Sequence, residues 1–326
     1  MMYIIHMPRK ARITVVGAVH HIMSRGIDGA PIFRNDADRT VFIDILRNQL
    51  IKSGYLLYAW ALMPNHYHLV MRRSEYPLAT CMRCINGGYA QYFRKRSSTR
   101  GYLFQDRFKS IVTQDQDYIE ELVRYVHLNP IRAKICPSLD VLDDYPWCGH
   151  SVLMGRQKRS FQNTTDVLRR FGPTLQSQRK AYRAFLEQGL SNTKGILSII
   201  QNANNEREDR HSTSCWVIGN RDFVQKAMAE QEIQRIRLAQ HAREGVDIQE
   251  IAGRIAAAMK IDIAQLHNKG RNSAGSAARK LCAYSAHRHY GISVRTIADY
   301  FGISSPAVSQ MLAPGELLMD EMHLAY

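Results

Sequence analysis

The chain has 326 residues, 45% of them hydrophobic, which is enough for two or three domains with cores of ordinary size. Lys and Arg number 44 against 29 Asp and Glu, so the formal charge is +15 and the pI near 9.7; such a balance suits a polyanion, nucleic acid first and an anionic membrane surface second. The membrane reading is the weaker one, because no apolar run reaches the roughly 18 residues of a spanning helix and no basic amphipathic terminus offers a surface anchor.

The opening MMYIIH is too short for a signal peptide and precedes a second start-like Met7, so a cytoplasmic location is expected. Residues 14–25 are apolar and β-branched and read as a strand. Val41, Ile45, Leu46 and Leu50 recur at helical spacing within 36–52. Two apolar runs, 55–63 and 66–72, flank the turn signal Pro64-Asn65 and should form an antiparallel hairpin. A second helix covers about 78–96 and carries Cys81 and Cys84. This C-x-x-C pair lacks the partners of a zinc site, so with no secretory signal the six cysteines are expected to be reduced thiols. A short strand is expected at 107–113 and a third helix at 116–129. Strand, helix, strand, strand, helix, strand is the split βαβ order of a ferredoxin-like antiparallel sheet, which predicts an α+β domain over residues 7–155.

Residues 156–247 read as a helical connector in which Tyr182, Phe185 and Leu186 cluster. It holds a polar linker near 201–214 and a helix rich in Gln, Glu and Arg at about 221–243. From Ile248 to residue 326 the pattern is all-α. Ile297, Ala298, Gly302, Val308 and Leu312 fall at helix-turn-helix spacing, and Ser305 before Pro306 suggests an N-cap opening a recognition helix over 306–312. Lys269, Arg271, Arg279, Lys280, Arg288 and Arg295 outweigh Asp299 there, which points to a phosphate-facing surface. A plain helical bundle with a protein partner is the other reading.

His66 and His68 are two apart in a strand, so their imidazoles leave the same face and could converge on one metal ion, while Tyr67 points into the core. The two histidines are expected on a solvent-facing strand surface, where spacing alone does not separate metal ligands from water-satisfied rings. In the third helix Tyr125 and Asn129 are four apart and share a face. Pro130 should end that helix at Asn129, whose amide could then reach a metal or cap the chain. Tyr118 lies seven residues before Tyr125, and periodicity leaves both tyrosines open. The chemistry suited to this set is attack on a phosphodiester. A divalent ion polarises the phosphoryl oxygens, and a tyrosine nucleophile conserves the bond energy as a phosphotyrosine that a DNA 3′-hydroxyl can later reverse.

Three segments, MPNHYHLV at 63–70, GYLFQDRFKS at 101–110 and RYVHLNPIRA at 124–133, resemble the single-tyrosine HUH transposases, specifically the REP-associated tyrosine transposase group; VHHIMSRGID at 19–28 and DYPWCGHS at 144–151 extend the likeness. The resemblance implies His66 and His68 as metal ligands, Tyr125 as nucleophile and Asn129 as a third ligand. It further implies single-stranded or hairpin-bearing DNA as partner and assembly as a homodimer. Since oxygen-rich phosphates and imidazoles both accept Mg²⁺ or Mn²⁺, one of these ions is the expected cofactor. Arg25, Arg107 and Lys109, the basic residues of these motifs, are the expected DNA contacts. Residues 270–312 resemble the helix-turn-helix domain of bacterial replication initiators, departing from it at Ser304, Ser305 and Pro306. Arg279, Lys280, Arg295, Ser305, Ser309 and Gln310 are the expected contacts there. The rival readings are a non-catalytic DNA-binding regulator and a metal-dependent phosphodiesterase that uses water.

Overall fold

The structure, a computed structural model, describes residues 3–7, 17–74, 76–97, 101–114, 118–191, 215–219, 221–229, 246–268, 270 and 273–321. Internal contacts divide the chain into two units, Met1–Met228 and Ala229–Tyr326.

The first unit is α+β. Strand β1 (Tyr3–Met7) is followed by β2 (Val19–Arg25) and helix α1 (Asp36–Ser53). Asn35 starts α1 by accepting a hydrogen bond from the Asp38 amide. Gly54 ends it in the left-handed region (φ 67°), where a side chain would be strained. Strands β3 (Leu56–Met63) and β4 (His66–Arg72) form the expected hairpin about Pro64-Asn65. Then come α2 (Leu78–Ser97), β5 (Lys109–Thr113), α3 (Ile119–Arg132), α4 (Leu139–Asp144), α5 (His150–Leu153), α6 (Thr165–Leu168) and α7 (Leu175–Ser191). Strand β6 (Cys215–Gly219) and a helix at 221–229, α8, complete the unit.

The sheet order is β1-β6-β5-β2-β4-β3. Its inner part, β5-β2-β4-β3, is antiparallel throughout, and β4 lies between β2 and β3, the two strands that α1 connects. This is the expected split βαβ arrangement. Strand β6 extends the sheet by pairing parallel to β5, and β1 pairs antiparallel to β6. Neither strand was expected. The compact unit therefore reaches past residue 155, and a strand stands where a helical connector was anticipated.

Alternation along β4 divides the core. Tyr67, Leu69 and Met71 face α1 and α2, packing with Phe42, Leu46, Ile85 and Tyr89. Val70 faces the opposite side, where Ile119, Leu122 and Val126 of α3 meet Tyr182 and Leu186 of α7. The surface bearing His66 and His68 is thus roofed by α3, so these two side chains do not sit on an open sheet face. Cys81 of α2 is buried near Ser53, in keeping with a packing role.

The second unit is helical. Helix α9 (Ile248–Ala258), a 3-10 turn (Ile263–His267), α10 (Ala274–Arg288), α11 (Val294–Phe301) and α12 (Ser305–Glu321) enclose Ile251, Ile255, Leu281, Ile297, Phe301, Val308 and Leu312. Asp247, Ser273 and Ser293 cap α9, α10 and α11 with side-chain oxygens. Gly302 turns the chain in the left-handed region (φ 62°) between α11 and α12. The hydroxyl that caps α12 belongs to Ser304, which accepts from the Ala307 amide, and not to Ser305; the helix runs on through Pro314, well past the expected 312. Lys269, Arg271, the polar linker at 201–214 and residues 230–243 of the anticipated Gln-rich helix lie outside the described residues. Among the described residues no helix is long and apolar enough to cross a membrane.

Candidate active site

Strand β4 presents His66 and His68 towards α3, and their rings lie 4.9 Å apart at 88°. Each is held through Nδ1. His66 Nδ1 is 2.7 Å from Oδ1 of Asn65, and His68 Nδ1 is 3.0 Å from Nε2 of His21. His21 lies on β2 opposite Val70, two residues from His68, so it is the diagonal neighbour of His68 across the strand pair. Their rings stack with centroids 5.2 Å apart. With Nδ1 engaged, Nε2 is the ring nitrogen of each residue left for a ligand.

Charge supports the same use. Burial, reinforced by the nearby Arg25 guanidinium, pushes the His66 imidazole down to about 4. Burial, with His66 and His21 close by, holds His68 well below its ordinary value. Both rings are therefore uncharged near neutrality, the state in which imidazole ligates a metal. Tyr67, between them, is fully buried on the other face. Its hydroxyl bonds Ser24 and Asn86, and burial raises its phenol above the ordinary range, so it is no nucleophile.

Helix α3 supplies the rest. Tyr125 sits in its middle and is 5% exposed, with its ring edge-on to His68 (5.7 Å between centroids) and to His21 (5.5 Å). Tyr118 stands one residue before the helix begins, so the ring that α3 brings onto the histidines is that of Tyr125. Pro130 does not end the helix, which continues to Arg132. Proline has no N–H for the Val126 carbonyl four residues back. The Asn129 amide substitutes, with Nδ2 donating to Tyr125 O (2.8 Å) and Val126 O (3.3 Å). Asn129 is thus a helix-internal cap whose Oδ1 is the atom left for a metal.

The donor set has the chemistry of a divalent-ion site: two neutral imidazole Nε2 atoms from β4, with the His68 ring against that of Tyr125, and one amide oxygen from the helix that carries Tyr125. Among the described residues no cluster of three His, Cys, Asp or Glu forms a richer metal site. The basic residues expected at the rim occupy one edge. Arg25 pairs with His66 across β2 and β4 and is exposed. Arg107 is exposed in the loop that follows Gly101, and half-buried Lys109 opens β5. That loop lies along the site edge, with Leu103 O accepting from the Ile27 amide and the Gln105 amide donating to Arg25 O. It leaves Tyr102 85% exposed, an aromatic that the sequence reading passed over. His21, Asn65 and Arg132 were also missed. Arg132 ends α3 with its Cζ 5.5 Å from the Tyr125 ring centroid.

On the far side of α3, His127 and His150 share the Tyr182 hydroxyl (2.7 and 3.0 Å), and His150 bonds Asp143. Burial lowers both of these histidines, although Asp143 partly opposes it at His150, and burial takes His20 and His21 down to about 3. The unfolded chain takes up protons at these positions below about pH 6.5 while the folded chain does not. Stability is therefore complete above that pH and is lost as pH falls towards 3, by up to about 1.4 kcal/mol per pH unit for each histidine. Urea midpoints should drop steeply between pH 6.5 and 4.5. A flat profile across that range would contradict neutral burial.

In the second unit, Arg295, Ser305, Ser309 and Gln310 are exposed and Lys280 is half-buried. Arg279 departs from expectation. It is 8% exposed and spends its guanidinium on the carbonyls of Leu266 and Asn268, so it ties the 3-10 turn to α10 instead of facing DNA.

Residues 14–129 match the family model described as IS200-like transposase. No curated protein matches the chain. A solved structure of a REP-associated tyrosine transposase bound to a REP hairpin aligns at 16% identity with a TM-score of 0.34, covering 48% of this chain and 98% of that one.

Proposed function

We propose that the first unit cuts and rejoins single-stranded DNA, with Tyr125 as nucleophile and a divalent ion, Mg²⁺ or Mn²⁺, held by His66, His68 and Asn129. The observation that carries this reading is the contact of the Tyr125 ring with His68, one of two neutral imidazoles whose Nδ1 atoms are already anchored. The match of residues 14–129 to IS200-like transposases supports DNA transposition chemistry and includes the four residues named.

In the proposed reaction the Tyr125 hydroxyl oxygen bonds to the scissile phosphorus as the bond to the 3′ oxygen breaks. The phenol proton passes to solvent and the departing 3′ oxygen takes one up. The products are a 5′-phosphotyrosine and a free 3′-hydroxyl. Attack of a 3′-hydroxyl on the phosphotyrosine reverses each of these changes and joins strands without an external energy source. When bound, the ion would polarise the phosphoryl oxygens and position the scissile bond. Burial of the His68 and Tyr125 rings between β4 and α3 keeps both in fixed orientations, which is the protein's share of that alignment. Arg25 and Arg107 at the rim would track the backbone phosphates, and exposed Tyr102 offers a ring on which an unpaired base could stack. Incubating the full chain with end-labelled, hairpin-bearing single strands and running a denaturing gel tests the reading. A retarded band that collapses on proteolysis is the expected result, and cleavage without any retarded band would favour water as the nucleophile.

The second unit is proposed to bind duplex or hairpin-stem DNA as a helix-turn-helix, with α12 as the recognition helix. Arg295, Ser305, Ser309 and Gln310 would contact DNA, with Lys280 nearby. Arg295→Ala should weaken duplex binding and reduce the slope of log affinity against log salt by about one. Cleavage of a short single strand should be unchanged. An unaltered salt slope would remove Arg295 from the interface.

A further inference from the structure

The last turn of α3 carries an unresolved electrostatic demand. Arg132 follows Pro130 and Asn129 and lies against the ring of Tyr125. Both of its terminal nitrogens, Nη1 and Nη2, are buried and have no hydrogen-bond partner among the described residues. A guanidinium removed from water without an anion is expensive. The same helix shows the ordinary solution at Arg124, whose Nη2 meets the Glu121 carboxylate (2.7 and 2.5 Å) and whose face covers Phe185. Among the described residues Arg132 has no such carboxylate. Its fork is also the geometry that grips two oxygens of one phosphate.

We infer that Arg132 receives the phosphodiester that Tyr125 attacks, engaging its non-bridging oxygens and stabilising the charge that develops on them. The inference rests on the proposed tyrosine reaction and adds a residue to it. Pro130, two residues earlier, matters here, because carrying the helix past it is what brings Arg132 back over the Tyr125 ring.

The test uses the full chain in single-turnover reactions on two versions of one hairpin-bearing strand. One has an ordinary diester at the scissile position; the other has a methylphosphonate there, which lacks the charged oxygen. Arg132→Gln should slow adduct formation on the diester by about 100-fold or more, while the two proteins should cleave the methylphosphonate at rates within a few-fold of each other. Arg132→Lys should recover part of the diester rate. A packing role would slow both substrates equally, and that outcome, or a wild-type rate on the diester, overturns the inference. Should the wild-type protein form no adduct with either strand, the tyrosine reaction itself fails and the inference falls with it.

Discussion

Tyr125→Phe is expected to bind single-stranded DNA within a few-fold of the wild-type protein, and to neither cut it nor become joined to it. The substitution removes one oxygen and leaves the ring that packs edge-on against His21 and His68, so the fold and the histidine pair should persist. Removing a nucleophile while keeping its surroundings costs at least about 10⁴-fold in rate in comparable covalent enzymes. Tyr118→Phe is the matched control. Its ring packs at the edge of the same core but precedes the helix, and its cleavage rate should stay near that of wild type. A Tyr125→Phe protein that still forms adduct would move the nucleophile elsewhere.

The second large effect concerns the imidazole pair. His66→Ala and His68→Ala should each lower cleavage by about 100-fold or more and weaken Mn²⁺ binding, followed by the loss of the free Mn²⁺ resonance signal on titration. Excess EDTA should do the same to the wild-type protein. The two variants should differ in stability. His68 is 1% exposed and bonds His21, so its removal leaves a buried ring nitrogen without a partner, at a cost of about 1–3 kcal/mol. His66 is only partly buried and its removal should cost less. Unchanged Mn²⁺ affinity in both variants would separate these histidines from the metal.

Much of the first unit was legible because its signals are local. Hydrophobic spacing marked α1, α2 and the β3–β4 hairpin, and alternation placed Tyr67 in the core and His66 with His68 on the other face. What was not legible depends on contacts distant in sequence. Strands β1 and β6 have five residues each and owe their place to pairing with each other and with β5, which no short window reveals. His21 looked like any polar residue in an apolar run until the register of β2 on β4 set it diagonal to His68. The rule that proline disfavours a preceding helical residue did not hold at Pro130, where the helix runs on to Arg132 and the Asn129 side chain donates to the Val126 carbonyl that proline leaves without an N–H. That failure also concealed Arg132. In the second unit, counting basic residues could not tell Arg279, turned inward onto two carbonyls, from exposed Arg295.

The most direct test of the account is the location of the covalent bond. The wild-type protein should be allowed to react with a hairpin-bearing single strand in Mg²⁺, denatured, digested with nuclease and then with protease, and the nucleotide-bearing peptide sequenced by mass spectrometry. The account predicts a 5′-linked nucleotide on the peptide that contains Tyr125, with fragment ions placing the added mass on that residue. A modification on Tyr118 or any other residue, or strand cleavage with no modified peptide at all, would contradict it.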